Sequence, residues 1–216
     1  MRRLLLILSL LPLLAAVILR KLNGDRVLYS LKDTRLTITA GDLARKMLDS
    51  VSQKAVEIKT PARRWAASAD LGSKWLVLPR GTALGVSARS HGQASLQVGL
   101  YLLSLRDPKA ISRRRWALRF GHVFPVFTTI VVIFALVVAR LAGLWGLGII
   151  MASCGLAACA QLLTLAAERK AADLACVVLE KKRILPRLSD EESVTAATRA
   201  WAWRSVLPGI LSRLAP

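Results

Sequence analysis

The sequence predicts a mainly α-helical, membrane-embedded fold with a small α/β cytosolic portion, and three observations carry that expectation. From Phe120 to Ala167 the chain runs 48 residues with one fixed charge, Arg140. A helix rises about 1.5 Å per residue and roughly 20 apolar residues cross the hydrocarbon core, so this run is long enough to cross twice. A second apolar run, Leu4 to Leu19, follows Arg2 and Arg3. Basic residues crowd the ends of both: 32 Lys and Arg stand against 13 Asp and Glu, a net charge of +19. With 216 residues and 54% hydrophobic content, the chain has room for one compact portion and a few membrane helices, not for two independent cores.

In chain order, residues 1–19 are expected to form a transmembrane or signal-anchor helix. Ala15-Ala16 comes close to a cleavage site, but Val17-Ile-Leu-Arg20-Lys21 lacks the small-x-small pattern, which disfavours a cleaved signal. A basic soluble portion spans 20–119. In it Val27-Leu-Tyr-Ser-Leu31 reads as a short strand. Thr39-Ala-Gly-Asp42 has the form of a capping box, and Leu43, Met47, Leu48 and Val51 repeat at helical spacing behind it, giving a helix over 41–53. Ala55-Val-Glu-Ile58 and Lys74-Trp-Leu-Val-Leu-Pro79 read as two strands separated by a loop with Pro61, Asp70 and Gly72. The Ala-, Leu-, Val- and Ser-rich run 84–105 reads as a helix and carries His91, one of two histidines.

The transmembrane hairpin, 120–167, divides into limbs 120–139 and 144–167 about Arg140-Leu-Ala-Gly143, with Pro125 expected near the first turn of the first limb. In the second limb Gly148-xxx-Ala152 and Gly155-xxx-Cys159 supply small residues one turn apart for close helix packing, and Gln161 can hydrogen-bond across helices. The C-terminal portion, 168–216, reads as a helix over 168–182, a second capping box at Ser189-Asp-Glu-Glu192, and an interfacial helix bent at Pro208. Trp116, Trp201, Trp203, Arg119 and Arg140 are the expected membrane-interface residues.

The charge pattern gives an orientation and a partner. Between Arg20 and Gly121 lie twenty basic and seven acidic residues, loaded at both ends, which places this portion in the cytosol. The tail with Lys181-Lys182-Arg183 then shares that side, and the N-terminus lies outside, since the five basic residues from Arg20 to Arg35 outweigh Arg2 and Arg3. The lipid bilayer, anionic lipids in particular, accounts for the charge; no zinc-finger, RNP or helix-turn-helix signature supports nucleic acid. Three cysteines without a CxxC pair do not suggest a disulfide framework or a cysteine zinc site.

Three stretches point to a family. These are Thr39-Ala-Gly-Asp-Leu-Ala-Arg-Lys-Met-Leu48, Asp70-Leu-Gly-Ser-Lys-Trp-Leu-Val-Leu78, and Leu162-Leu-Thr-Leu-Ala-Ala-Glu168-Arg-Lys-Ala-Ala-Asp-Leu-Ala175. In content and order the chain resembles the putative neutral zinc metallopeptidase family of bacterial membrane proteins. That resemblance implies a zincin-like portion, a multi-pass place in the bacterial inner membrane, and an HExxH helix. In such a helix two His at i and i+4 hold zinc, the Glu activates the metal-bound water, and a downstream Glu completes the site.

The matching segment here, Ala88-Arg-Ser-His-Gly-Gln-Ala-Ser-Leu-Gln97, lacks the motif. Registered on Gln97, it puts Ser90 and Ala94 at the ligand positions and His91 at the base. Slid by one residue, it keeps His91 as ligand but puts Gly92 at the base and Ser95 at the second ligand. Glu168 alone remains of the expected ligand set, and a site from His91, His122 and Glu168 is the weaker possibility. The vestigial positions are therefore Ser90, His91, Ala94 and Glu168, with no catalytic residue and no cofactor expected. The chain reads as a non-hydrolysing member that works by binding a protein partner, such as an active paralogue, or a substrate segment at the membrane. Two alternatives remain: an active zinc peptidase with non-standard ligands, and an unrelated membrane adaptor with a basic lipid-facing surface.

Overall fold

The computed structural model describes residues 2–60, 75–138, 140 and 142–206. It is mostly helical. Helix α1 (Arg2–Arg20) leads through a π-helical turn (Lys21–Asp25) into α2 (Arg26–Ser30) and α3 (Ala40–Ser50). Strands β1 (Glu57–Lys59) and β2 (Trp75–Val77) follow, then α4 (Arg80–Ala83) and α5 (Ala88–Arg106). The two longest helices, α6 (Pro108–Val138) and α7 (Gly143–Lys182), precede α8 (Leu188–Ala202) and a 3-10 turn (Trp203–Val206). By length and composition α6 and α7 can each cross a membrane. The described residues fall into two compact units, one drawn from 2–21, 113–165 and 205–206, the other from 22–112 and 166–204.

In the first unit the hairpin limbs belong to longer helices than the hydropathy suggests. Helix α6 starts at Pro108, where a missing N–H costs nothing, and Asp107 Oδ1 accepts from Ala110 N at 3.0 Å. Pro125, expected in a first turn, therefore lies mid-helix. At the hairpin turn the left-handed residue is Arg140, at φ 48°, while Gly143 opens α7. The packed face of α7 runs through Gly146, Ser153, Ala157, Gln161 and Thr164. Ala152 and Cys159, expected on a contact stripe, are exposed instead. Val132 and Leu136 of α6 meet Gly146, and the Gln161 side chain lies over Gly121. Glu168 starts no new helix: the alanine-rich stretch around it, free of Gly and Pro, carries α7 unbroken to Lys182.

In the second unit α3 is capped as its sequence indicates, Thr39 Oγ1 accepting from Asp42 N at 3.2 Å. Its buried Leu43, Met47 and Leu48 join Leu76, Leu78, Val98, Tyr101, Leu179 and Val194 in the main apolar cluster. Arg45 ties this helix to the approach of β1, donating to Val56 O at 2.6 Å and Lys54 O at 2.8 Å. Strands β1 and β2 pair in parallel, Ile58 opposite Leu76; the loop expected to hold Pro61, Asp70 and Gly72 lies outside the described residues.

Two local expectations fail here. Val27–Leu31 is not a strand: it forms α2, because Leu28 packs on Ala197 and Ala200 with Val27 and Leu31 beside it, a helical spacing that outweighs β propensity. Helix α8 begins at Leu188 with Arg187 as N-cap and no side-chain capping bond, so Ser189 is not the cap; Asp190 and Glu191 still place negative charge in the first turn. Pro208 lies outside the described residues.

Cys176, on the part of α7 beyond the apolar limb, is buried with its thiol near Thr195 O, and burial raises its pKa to about 11, Arg199 partly opposing. Because the thiolate is the reactive form, a Cys154→Ala, Cys159→Ala variant is expected to resist maleimide at pH 8 and to label fully once denatured. Rapid labelling of the folded protein, read by mass spectrometry, would contradict the burial.

Candidate functional site: a closed peptidase helix

The site is built at the N-terminal half of α5. Ser87 caps the helix, its Oγ accepting from Ser90 N at 3.3 Å and lying 3.1 Å from Ser90 Oγ. The segment 34–40 runs alongside 85–88, with Ala88 N donating to Thr34 O and Leu36 N to Val86 O at 2.8 Å, and Ala40 N to Gly85 O at 2.9 Å. This alignment brings Ile38 O within 3.0 Å of His91 Nε2, while Nδ1 lies 2.8 Å from Ser87 O. His91 is fully buried, and each ring nitrogen faces a carbonyl oxygen. A neutral imidazole has one N–H, which donates to one of these oxygens, and the other nitrogen, the one a metal would need, also has a carbonyl oxygen within 3.0 Å in front of it.

The neighbouring positions point elsewhere. Ser90 is half-buried beside Ser87, and Ala94 is fully buried in the apolar cluster around α3. Gly92 meets the backbone of α8: a Cβ there would lie 2.7 Å from Ala197 C and 2.8 Å from Thr198 N. Gly99 makes a similar approach to Ala171 O of α7. Between them Ser95 is fully buried, and its Oγ has no hydrogen-bond partner in the structure. Glu168 is buried on α7, while His122 is exposed on α6. Among the described residues no group of three or more His, Cys, Asp or Glu is placed to hold a metal.

A second cluster joins α5, α7 and α8. Trp201 Nε1 donates to Arg89 O at 2.8 Å. The guanidiniums of Arg204 and Arg89 lie 4.7 and 5.7 Å from the Trp201 ring centroid, and that of Arg169 lies 5.8 Å from Trp203. Of the other predicted interface residues, Trp116 is exposed and stacks on Phe120, which stacks on Phe124, at centroid distances of 5.2 and 4.7 Å. Arg119 and Arg140 are exposed.

Sequence reasoning named Trp201 and Trp203 as expected interface residues but missed the arginines whose guanidiniums lie over their rings. It also missed Ile38 as the partner of His91. The spacing Gly92, Ser95, Gly99 was a readable sign of a closely packed helix face, because three and four residues along a helix return to the same side.

Two membrane-length helices, with a short α/β portion before them and a buried Glu168 within the second, make up the scaffold. The chain belongs to the putative neutral zinc metallopeptidase family, whose sequence profile matches residues 4–207. No curated protein and no solved structure matches it. Membership removes the reading of an unrelated adaptor. The family implies zinc, but the donors on α5 do not fit it: the single imidazole is fully buried with a carbonyl oxygen against each nitrogen, and in either register a ligand position holds serine or alanine.

Gly92→Glu with Ser95→His writes HExxH into α5. Because both positions are packed shut, the double variant is expected to lose about 3 kcal/mol or more of stability, as overpacking and buried polarity require, and to bind no stoichiometric zinc. A thermal melt and metal analysis check both; a stable, zinc-loaded variant would mean the groove opens readily.

Proposed function

We propose that this chain is an integral, multi-pass protein of the bacterial inner membrane that keeps the peptidase scaffold and acts by binding, not by hydrolysis. What it holds is a protein partner, such as an active paralogue, or a substrate segment presented at the bilayer. The observation that carries this reading is the setting of His91, a fully buried ring with a backbone carbonyl oxygen within 3.0 Å of each nitrogen and no open side for a metal. Zinc hydrolysis needs at least an open imidazole lone pair, a second ligand and a base for the bound water. The HExxH-equivalent positions supply none of the three, and the close approach of α8 at Gly92 leaves no volume for a glutamate at the base position of the second register.

The membrane reading draws on the two apolar helices and on the basic residues at their ends. The positive-inside tendency favours a cytosolic basic portion.

Detergent-purified protein is expected to contain no stoichiometric zinc, to leave membrane-proximal peptides uncut, and to be indifferent to chelators. Chelator-sensitive cleavage that disappears in His91→Ala would establish the active-enzyme alternative. Carbonate-resistant sedimentation with membranes tests the embedding separately, and release by carbonate would refute it.

A further inference from the structure

The basic and aromatic residues at the junction of α5, α7 and α8 are none of the HExxH-equivalent positions. Arg89 comes from the first turn of α5, Arg169 from α7, Trp201 from the end of α8, and Trp203 and Arg204 from the 3-10 turn after it. All lie in one compact unit. The Trp201 ring is held by its bond to Arg89 O and by the apolar cluster of Leu96, Leu100, Ala171 and Ala202. It is thereby a fixed surface on which Arg89 and Arg204 rest. Asp25 forms an ion pair with Arg204, 3.7 Å from its Nε, and Asp173 forms one with Arg199, 3.9 Å from its Nε.

We propose that Arg89, Arg169 and Arg204, gathered over the rings of Trp201 and Trp203, form a docking site for the phosphate headgroup of an anionic membrane lipid.

Three properties favour this occupant. A guanidinium held over an indole ring still has N–H groups in a fork that takes phosphate oxygens in pairs, and the contact limits the rotamer freedom lost on binding. The local charge is positive even with Asp25 and Asp173 counted, because Lys170 and Arg199 add to the three arginines. Arg169 and Lys170 are also the first basic residues after the apolar run 144–167, so in a spanning helix they fall at headgroup depth, and the Arg169 guanidinium lies 5.8 Å from the Trp203 ring centroid. The inference rests on the membrane reading of α6 and α7 and does not depend on whether the peptidase centre is active.

Native mass spectrometry of the full chain in detergent, titrated with phosphatidylglycerol or phosphatidylcholine, tests it. Wild type should retain phosphatidylglycerol selectively. Arg89→Gln, Arg169→Gln and Arg204→Gln together should weaken that retention by roughly a hundredfold, about fivefold per basic residue near a headgroup layer. The control triple Arg113→Gln, Arg115→Gln, Arg119→Gln should leave it nearly unchanged. A melting curve establishes that the first triple is folded; if it is not, the exposed Arg169→Gln alone should give the fivefold loss. Equal retention in the folded variant would overturn the site. So would equal loss in the control, which would mean diffuse attraction, or displacement by millimolar inorganic phosphate, which would mean a soluble anion is the ligand.

Discussion

The close approach of α5 to two other helices is the constraint on which the second unit depends. At Gly92 and Gly99 a methyl group would collide with the backbone of α8 and of α7 respectively. Glycine inside a helix costs roughly 1 kcal/mol against alanine. That cost is offset where main chains approach without side chains between them, since dispersion contacts accumulate across the whole interface. A catalytic helix of the HExxH kind faces the opposite demand, because it needs an open side where metal, water and substrate meet. Here that side is committed to packing, and the choice is made by residues that lack side chains.

His91 shows what becomes of an imidazole under that commitment. A fully buried ring with an unmet nitrogen would carry a desolvation cost of about 1–3 kcal/mol. The alignment of 34–40 along 85–88 brings Ile38 O to one side of the ring while Ser87 O lies on the other, so the ring's single N–H has an acceptor in either tautomer and His91 sits between the first turn of α5 and the segment leading into α3. The same two carbonyls that give the ring an acceptor make it a poor ligand.

Much of the architecture was legible because its signals are long or local. The 48-residue apolar run marked both membrane-length helices, and Thr39 with Asp42 marked the start of α3. Failures arose where distant packing decided the outcome. Residues 27–31 look like a strand until Leu28 finds Ala197 and Ala200 of α8, and Ser189 looks like a cap until the helix starts at Leu188. At the site the loss of HExxH could be read directly from residues 90–95. What replaced it could not, since the partner of His91 is a backbone carbonyl and a carbonyl leaves no mark in composition.

One helix connects the closed site with the basic cluster. Ala197 and Thr198 of α8 lie against Gly92, and one turn further Trp201 bonds to Arg89 in the opening turn of α5. A ligand that tightens the arginines around Trp201 therefore holds α8 in the position that covers Gly92. By linkage, anything that binds this arrangement and not a displaced one stabilises it in proportion to its occupancy. The covering of Gly92 and the shape of the arginine–tryptophan cluster are then two consequences of one helix position.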